Sequence, residues 1–297
     1  MTRALSPNMT GALLMMGSMI AFTVNDSFIK LTGGQIPLFQ LIFLRGLLTS
    51  VMILILARSV GALRFNLGHQ DWGLVSLRGM AEIAGSYFFL SALFNMPLGN
   101  LSAILQVLPL TVTLGSALVF REAVGWRRMV AIAVGFVGVL LIIRPGPDGF
   151  TIWSFYALIA VLCVTVRDLA TRRLSREVPG LTVSLVTSTL VMTAAGLASL
   201  SQPWGQVSPH NAALIVGSAV FILGGYYFSI QVMRVGEVSF VAPFRYTGLV
   251  TAMLIGLFVF GEVPTALTLL GATIVMATGI FTFYRERRAL RTRLAPL

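Results

Sequence analysis

Ten mostly apolar runs fill this chain almost end to end, and Lys and Arg fall on every second connection between them. A hydrocarbon core of ~30 Å needs about 20 helical residues at ~1.5 Å each. The spans read as 10–31, 38–58, 72–95, 98–120, 127–143, 151–170, 181–200, 211–233, 238–261 and 265–284. The expected fold is an all-α membrane protein with ten transmembrane helices.

Orientation follows from the basic residues, because Lys and Arg near span ends are retained on the cytoplasmic side. Arg3, Arg58, Arg64, Arg121, Arg127, Arg128, Arg172, Arg173, Arg176, Arg234, Arg285, Arg287, Arg288, Arg291 and Arg293 fall on one side, against Arg144 alone on the other. Both termini are therefore expected in the cytoplasm, with 285–297 as a basic cytoplasmic tail. Lys30, Arg45, Arg78, Arg167 and Arg245 lie inside spans and need another explanation.

Composition excludes a soluble fold: 57% of the residues are hydrophobic and only 10% are charged, so the lipid bilayer must act as solvent. The net charge of +11 is accounted for by cytoplasmic loops and tail facing anionic lipid, and no nucleic-acid partner is expected. Cys163 is the single cysteine, so no intramolecular disulfide can form. His69 and His210 stand far apart without an acidic or thiol cluster, so no metal site and no cofactor is expected. The chain has neither a Gly-rich loop followed by Lys nor a Gly-x-Ser-x-Gly turn, which removes ATP-driven transport and hydrolase chemistry. The first apolar run follows Arg3 but is too long for a signal peptide and carries Asp26 and Lys30; it reads as a retained span.

Residues 10–143 and 151–284 match when shifted by about 137 to 142 positions, the signature of a duplicated five-helix unit. Val24-Asn25-Asp26 with Lys30 recurs as Val166-Arg167-Asp168 with Arg172. Gly85-Ser86-Tyr87-Phe88-Phe89 recurs as Gly224-Gly225-Tyr226-Tyr227-Phe228, and Phe120-Arg121-Glu122 as Phe260-Gly261-Glu262. Five is odd, so the second copy enters the membrane from the opposite side. Such inverted repeats are the construction of many secondary transporters, in which two similar halves exchange conformations around a central site.

A charge at the bilayer centre costs ~3 kcal/mol, so such residues face a cavity or a partner. Asp26 and Lys30 are four apart near the outer end of the first helix, and Asp168 and Arg172 repeat the spacing near the inner end of the sixth. Helix-end ion pairing explains these residues, and so does gating or coupling-ion work by Asp26, Lys30 and Asp168. Arg78 and Glu82 form a further i,i+4 pair whose repeat counterparts are Gly217 and Phe221; the asymmetry points to substrate binding, with buried pairing as the alternative. Proton uptake by Glu82 offers one route to coupling.

Arg45 and Arg245 have no nearby carboxylate in sequence, and a guanidinium suits a substrate carboxylate, a carbonyl or an aromatic face. Pro243 beside Arg245 removes a backbone donor and frees a carbonyl. Pro109 marks a hinge or kink in the fourth span. Tyr87, Tyr227 and Tyr246 complete the substrate-binding candidates; their aromatic clusters suit a flat conjugated ligand, although packing alone also explains them.

Together, Asn25-Asp26 with Lys30, Phe43-Leu44-Arg45-Gly46, Leu77-Arg78-Gly79, Phe120-Arg121-Glu122, Gly135-Phe136-Val137-Gly138 followed by Arg144-Pro145, and Ala242-Pro243-Phe244-Arg245-Tyr246 resemble the drug/metabolite transporter superfamily. The resemblance is to its ten-helix EamA-like carriers, in the branch with bacterial S-adenosylmethionine and riboflavin uptake carriers, and it covers nearly the whole chain. Glu82 departs from that pattern. The resemblance implies a multi-pass protein of the bacterial inner membrane, not an enzyme, that imports a small heteroaromatic metabolite without ATP. Riboflavin is the first expectation, since basic residues outnumber acidic ones within the spans. S-adenosylmethionine uptake, export of amino acids or drugs, a membrane enzyme and a non-transporting sensor remain alternatives. Nothing in the sequence decides between a monomer and a homodimer.

Overall fold

The structure is a computed structural model that describes residues 6–121, 125–144, 151–175, 177–235 and 238–294. Arg3, Glu122, Pro145 and Arg176, the side chain of Arg234 and those of the basic residues beyond Tyr284 lie outside the described residues. Among the described residues every regular element is helical. In order these are α1 (Pro7–Leu31), α2 (Leu38–Ser59), α3 (His69–Asn95), α4 (Leu98–Leu105), α5 (Leu108–Phe120), α6 (Trp126–Ile143), α7 (Ile152–Arg173), α8 (Gly180–Ser199), α9 (Pro209–Val235), α10 (Val238–Val241), a 3-10 turn (Ala242–Tyr246), α11 (Thr247–Phe260) and α12 (Ala266–Leu294).

Among the described residues eight stretches are long and apolar enough to cross a membrane, with Leu98–Phe120 and Ala242–Phe260 each counted as one; Ala266–Thr282 is a shorter apolar helix. The chain is a multi-pass membrane protein. The helix α3 is 27 residues long and carries Asp71, Arg78 and Glu82, charges that weaken its apolar character.

Two predicted spans are broken. The fourth stops at Leu105 and restarts at Leu108, with Pro109 in the first turn of α5, where a missing N–H leaves nothing unsatisfied. The ninth opens as α10 and passes through the 3-10 turn containing Pro243 before α11 begins. Both broken segments end on a left-handed residue, Arg121 (φ 54°) and Gly261 (φ 66°), so the matching Phe-x-Glu sequences mark equivalent helix ends. At the C-terminus, α12 continues past the expected end at 284 to Leu294.

The chain divides into two compact units, and each takes segments from both halves of the sequence. The larger unit comprises Met1–Thr23, Pro97–Ser154 and Gly225–Leu297; the smaller comprises Val24–Met96 and Phe155–Gly224.

In the smaller unit α2 lies against α8. Gly46 meets Met192, where an added Cβ would fall 3.0 Å from the Met192 Cβ. Small residues let membrane helices approach this closely. Ser50 and Ser188 share a 2.8 Å hydrogen bond nearby. The buried Gln40 amide donates to the Gly205 carbonyl and accepts from its N–H, both at 2.9 Å.

In the larger unit α6 crosses α12 at Gly138 and Gly271, each backed by the other's backbone. The Leu98 N–H, at the start of α4, donates to Glu262 Oε2 at 2.7 Å. A carboxylate there satisfies an orphan donor and faces the positive helix end. Glu262→Ala is expected to cost about 1–2 kcal/mol, read as a lower thermal midpoint of purified protein in detergent, with Glu262→Gln retaining part of the stability.

Candidate functional site

Seven of the ten sequence-derived candidates, Asp26, Lys30, Arg45, Arg78, Glu82, Tyr87 and Asp168, fall in the smaller unit. Helices α3 and α7 meet there as antiparallel neighbours, and their facing side chains make a ladder. At the foot, Asp71 accepts from the Ser175 hydroxyl at 2.7 Å and its N–H at 3.1 Å; these two donors hold the Asp71 carboxyl below the usual carboxylate range. Above it, the Arg78 guanidinium donates to Thr171 on α7 and, at 3.3 Å, to Thr187 on α8.

The next rung carries the strongest electrostatics. Arg167 Nη1 lies 3.3 Å from Glu82 Oε2 across the helix pair, and Arg167 Nη2 lies 2.9 Å from Asp168 on its own helix. One guanidinium thus bridges two carboxylates. All three side chains keep between 22% and 31% of their accessible surface, so they line a surface of the unit rather than its packed interior.

Higher on the ladder polarity gives way to aromatic surface. Gly85 faces Cys163, and Tyr87, Phe88 and Tyr156 then cluster with ring centroids 5.0 to 6.3 Å apart. Phe39 of α2 stacks on Tyr87 at 5.8 Å with its plane within 16°. Tyr87 is five residues beyond Glu82, roughly 7.5 Å along the helix. The charged cluster and the aromatic cluster therefore follow one another along the α3–α7 pair.

The first helix repeats this pattern in muted form. Asn25 Nδ2 donates to Asp26 Oδ1 at 2.9 Å, as Arg167 Nε does to Asp168 Oδ1 at 2.9 Å. Asn25 then accepts from Ser218 of α9 at 2.8 Å, as Arg167 reaches Glu82 of α3. Near the Glu82 counterpart the contact is apolar, Phe221 lying on Phe28 at 5.6 Å. The Glu82–Arg167 ion pair lies on the α3–α7 side.

Several of these charged residues have partners that the i,i+4 spacing does not point to. Lys30 Nζ donates to the Met96 carbonyl at 2.7 Å, Arg45 is the cationic neighbour acting on Asp26, and the Asp168 ion pair is to Arg167.

Tyr227, Arg245 and Tyr246 lie in the larger unit. Tyr227 is exposed beside Phe228, with centroids 5.9 Å apart. Arg245 and Tyr246 end the 3-10 turn, and the Tyr246 ring is tucked against Gly279 of α12. Its hydroxyl is buried without a hydrogen-bond partner among the described residues. Tyr246→Phe is expected to raise the thermal midpoint, by the equivalent of about 1 kcal/mol, because an unsatisfied buried hydroxyl is removed; an unchanged or lower midpoint argues that the hydroxyl is satisfied in the membrane.

Sequence reasoning left Arg167 unassigned, along with Thr171 and Thr187, which accept from Arg78, and Tyr156 of the aromatic cluster. The signal for Arg167 was available, since the repeat alignment sets it opposite Asn25.

The EamA-like transporter family pattern matches this chain twice, over residues 9–144 and 151–284. The chain belongs to the EamA-like transporter family. It is thus a small-molecule transporter. It is similar to the S-adenosylmethionine uptake transporter of Rickettsia conorii, 24% identical with 99% of each chain covered. It is 28% identical to the riboflavin transporter of Vibrio cholerae, over 95% of this chain and 96% of that one. It is also 24% identical to the pseudopaline exporter of Pseudomonas aeruginosa, over 91% and 95%. One crystal structure, 16% identical, shares the fold with a TM-score of 0.68 over 95% of this chain and 99% of that chain.

Proposed function

We propose that this EamA-like protein is a secondary transporter of the bacterial inner membrane that imports a small heteroaromatic metabolite, riboflavin in the first instance. Its ten spans would place both termini in the cytoplasm, with residues 10–143 and 151–284 as inverted repeats. The observation that carries the reading is the succession of a charged and an aromatic cluster along α3 and α7. There Arg78, Glu82 and Arg167 supply donors and acceptors, and Tyr87, Phe39 and Tyr156 supply π-faces about one to three turns farther along.

A flat ring system with a polar edge fits that division of labour. Stacking holds the ring without demanding hydrogen bonds from it, and the guanidinium groups read its carbonyls. Asp26, Lys30 and Asp168 are assigned to coupling or gating, and Arg45 to substrate binding. Arg245, Tyr246 and Tyr227 are assigned to the contribution of the ninth span and its neighbour α9. The 3-10 turn supports a role for Arg245, because irregular backbone at membrane depth is tolerated where it lines a cavity.

S-adenosylmethionine is the second reading, favoured by the carboxylates of Glu82 and Asp168, which suit a sulfonium cation. The deciding experiment is uptake of labelled riboflavin by cells that lack both riboflavin synthesis and their own importer, with unlabelled S-adenosylmethionine as competitor. Saturable uptake that depends on this chain and ignores the competitor is the expected result. Absence of uptake despite verified membrane expression overturns riboflavin import and moves the assignment to S-adenosylmethionine or to export.

A further inference from the structure

Helices α6 and α12 touch closely at one end and separate at the other. Gly138 and Gly271 abut through their backbones, and an added Cβ on Gly135 would lie 3.0 Å from Thr278 Oγ1. Toward the start of α6 the bulkier Trp126, Arg127, Val130 and Val134 face Thr278 and Phe281, and between them lies a groove of about 580 Å³ with almost wholly apolar walls. This groove lies within the larger unit and shares no residue with the α3–α7 ladder.

We infer that the groove holds one acyl chain of an anionic phospholipid, whose phosphate is bound by Arg127. Three observations support this occupant. The first is setting: both walls are apolar helices of a multi-pass membrane protein. The second is length. Trp126 to Val134 is eight residues, roughly 12 Å of helix, against about 15 Å for the hydrocarbon of one leaflet.

The third is charge at one end only. The Arg127 guanidinium lies 5.3 Å from the centroid of the Trp126 ring, a cation–π contact that keeps it at the mouth of the groove. The sequence adds Arg121 and Arg128 close to the start of α6. Trp and Arg together are the side chains expected at headgroup depth, with the indole at the interface and the cation toward phosphate. A neutral lipid leaves that cationic end unanswered.

The test uses the full-length protein reconstituted in phosphatidylcholine vesicles. Equal mole fractions of brominated phosphatidylglycerol or brominated phosphatidylcholine are added, and the Trp126 emission is isolated as the difference from Trp126→Phe. The anionic lipid is expected to quench Trp126 about fivefold more effectively, the ratio one basic residue at the membrane surface brings. Arg127→Gln should abolish the preference, Arg127→Lys should keep most of it, and Val134→Phe should weaken quenching by filling the groove. Native mass spectrometry from detergent, with the anionic lipid retained in preference to the neutral one, gives the same reading without the Trp variant. Equal quenching by the two lipids overturns the proposal. So does protection of Trp126 from both lipids with cross-linking of two copies through Val134→Cys, which would assign the groove to a second copy of the chain.

Discussion

Glu82→Gln is expected to insert and fold normally while importing its substrate at roughly a tenth or less of the wild-type rate, the tenfold loss that one charged hydrogen bond brings. The reason for separating folding from transport lies in the partner. When Glu82 loses its charge, Arg167 keeps Asp168 at 2.9 Å, so no membrane-embedded cation is stranded. The amide preserves the size of the carboxylate but not its charge, so only steps that use that charge should suffer.

Arg167→Gln gives the contrasting result. It leaves Glu82 and Asp168 without the cation that bridges them, and it is expected to lower stability as well as transport. The expected cost is about 1–3 kcal/mol, scaled down from the ~3–5 kcal/mol of a fully buried pair because the two side chains retain 27% and 22% of their surface. Initial uptake rates, set against the amount of protein in the membrane and followed across pH, distinguish the two variants. Wild-type kinetics and an unchanged pH profile in Glu82→Gln would remove this residue from the transport cycle.

Gly271→Val is expected to be the most damaging single substitution for stability, about 3 kcal/mol or more. A Cβ at this position would strike the Gly138 carbonyl and would come within 2.8 Å of Ile142 Cγ1 and 3.3 Å of the Ile142 backbone nitrogen. Backbone atoms cannot rotate aside as a side chain end can, so α6 and α12 would have to part along their length. Gly73→Ala is the matched control: no atom lies within 4 Å of its added Cβ, and alanine in a helix is favoured over glycine. Thermal unfolding in detergent should show the first variant greatly destabilised and the second unchanged or slightly improved. Equal midpoints for Gly271→Val and wild type would show that the two helices do not meet at this crossing.

Much of the fold was legible because hydropathy reports bilayer thickness directly. The second span, expected at 38–58, is a helix over Leu38–Ser59, and the seventh, expected at 181–200, is Gly180–Ser199. The breaks at 106–107 and in 242–246 were harder to see. The chain stays apolar through both, and a window that averages hydropathy does not register the loss of an i,i+4 hydrogen bond. Pro109 and Pro243 signalled irregularity, and the structure puts Pro109 after the break and Pro243 inside the 3-10 turn.

The charged residues were legible as a set and less so as pairs. Sequence spacing sees only neighbours along one helix, so Arg78 with Glu82 and Asp168 with Arg172 were the natural pairs to draw. An ion pair of Glu82 runs between helices to Arg167, 85 residues away in the chain. Finding it required knowing that α3 and α7 lie antiparallel, information held in tertiary packing. Only the internal repeat, which aligns Arg167 with Asn25, carried a hint of it.

The interleaving of the two units bears on how this protein is made. When the first half has left the ribosome, α2 is in the membrane without α8 and α6 is there without α12, because both partners are encoded in the second half. The faces at Gly46 and Ser50 then meet lipid or the insertion machinery until α8 is made, and the face at Gly138 until α12 is made. Neither half can finish its own structure during synthesis, and a nascent chain stalled in the middle would present open helix faces to quality control.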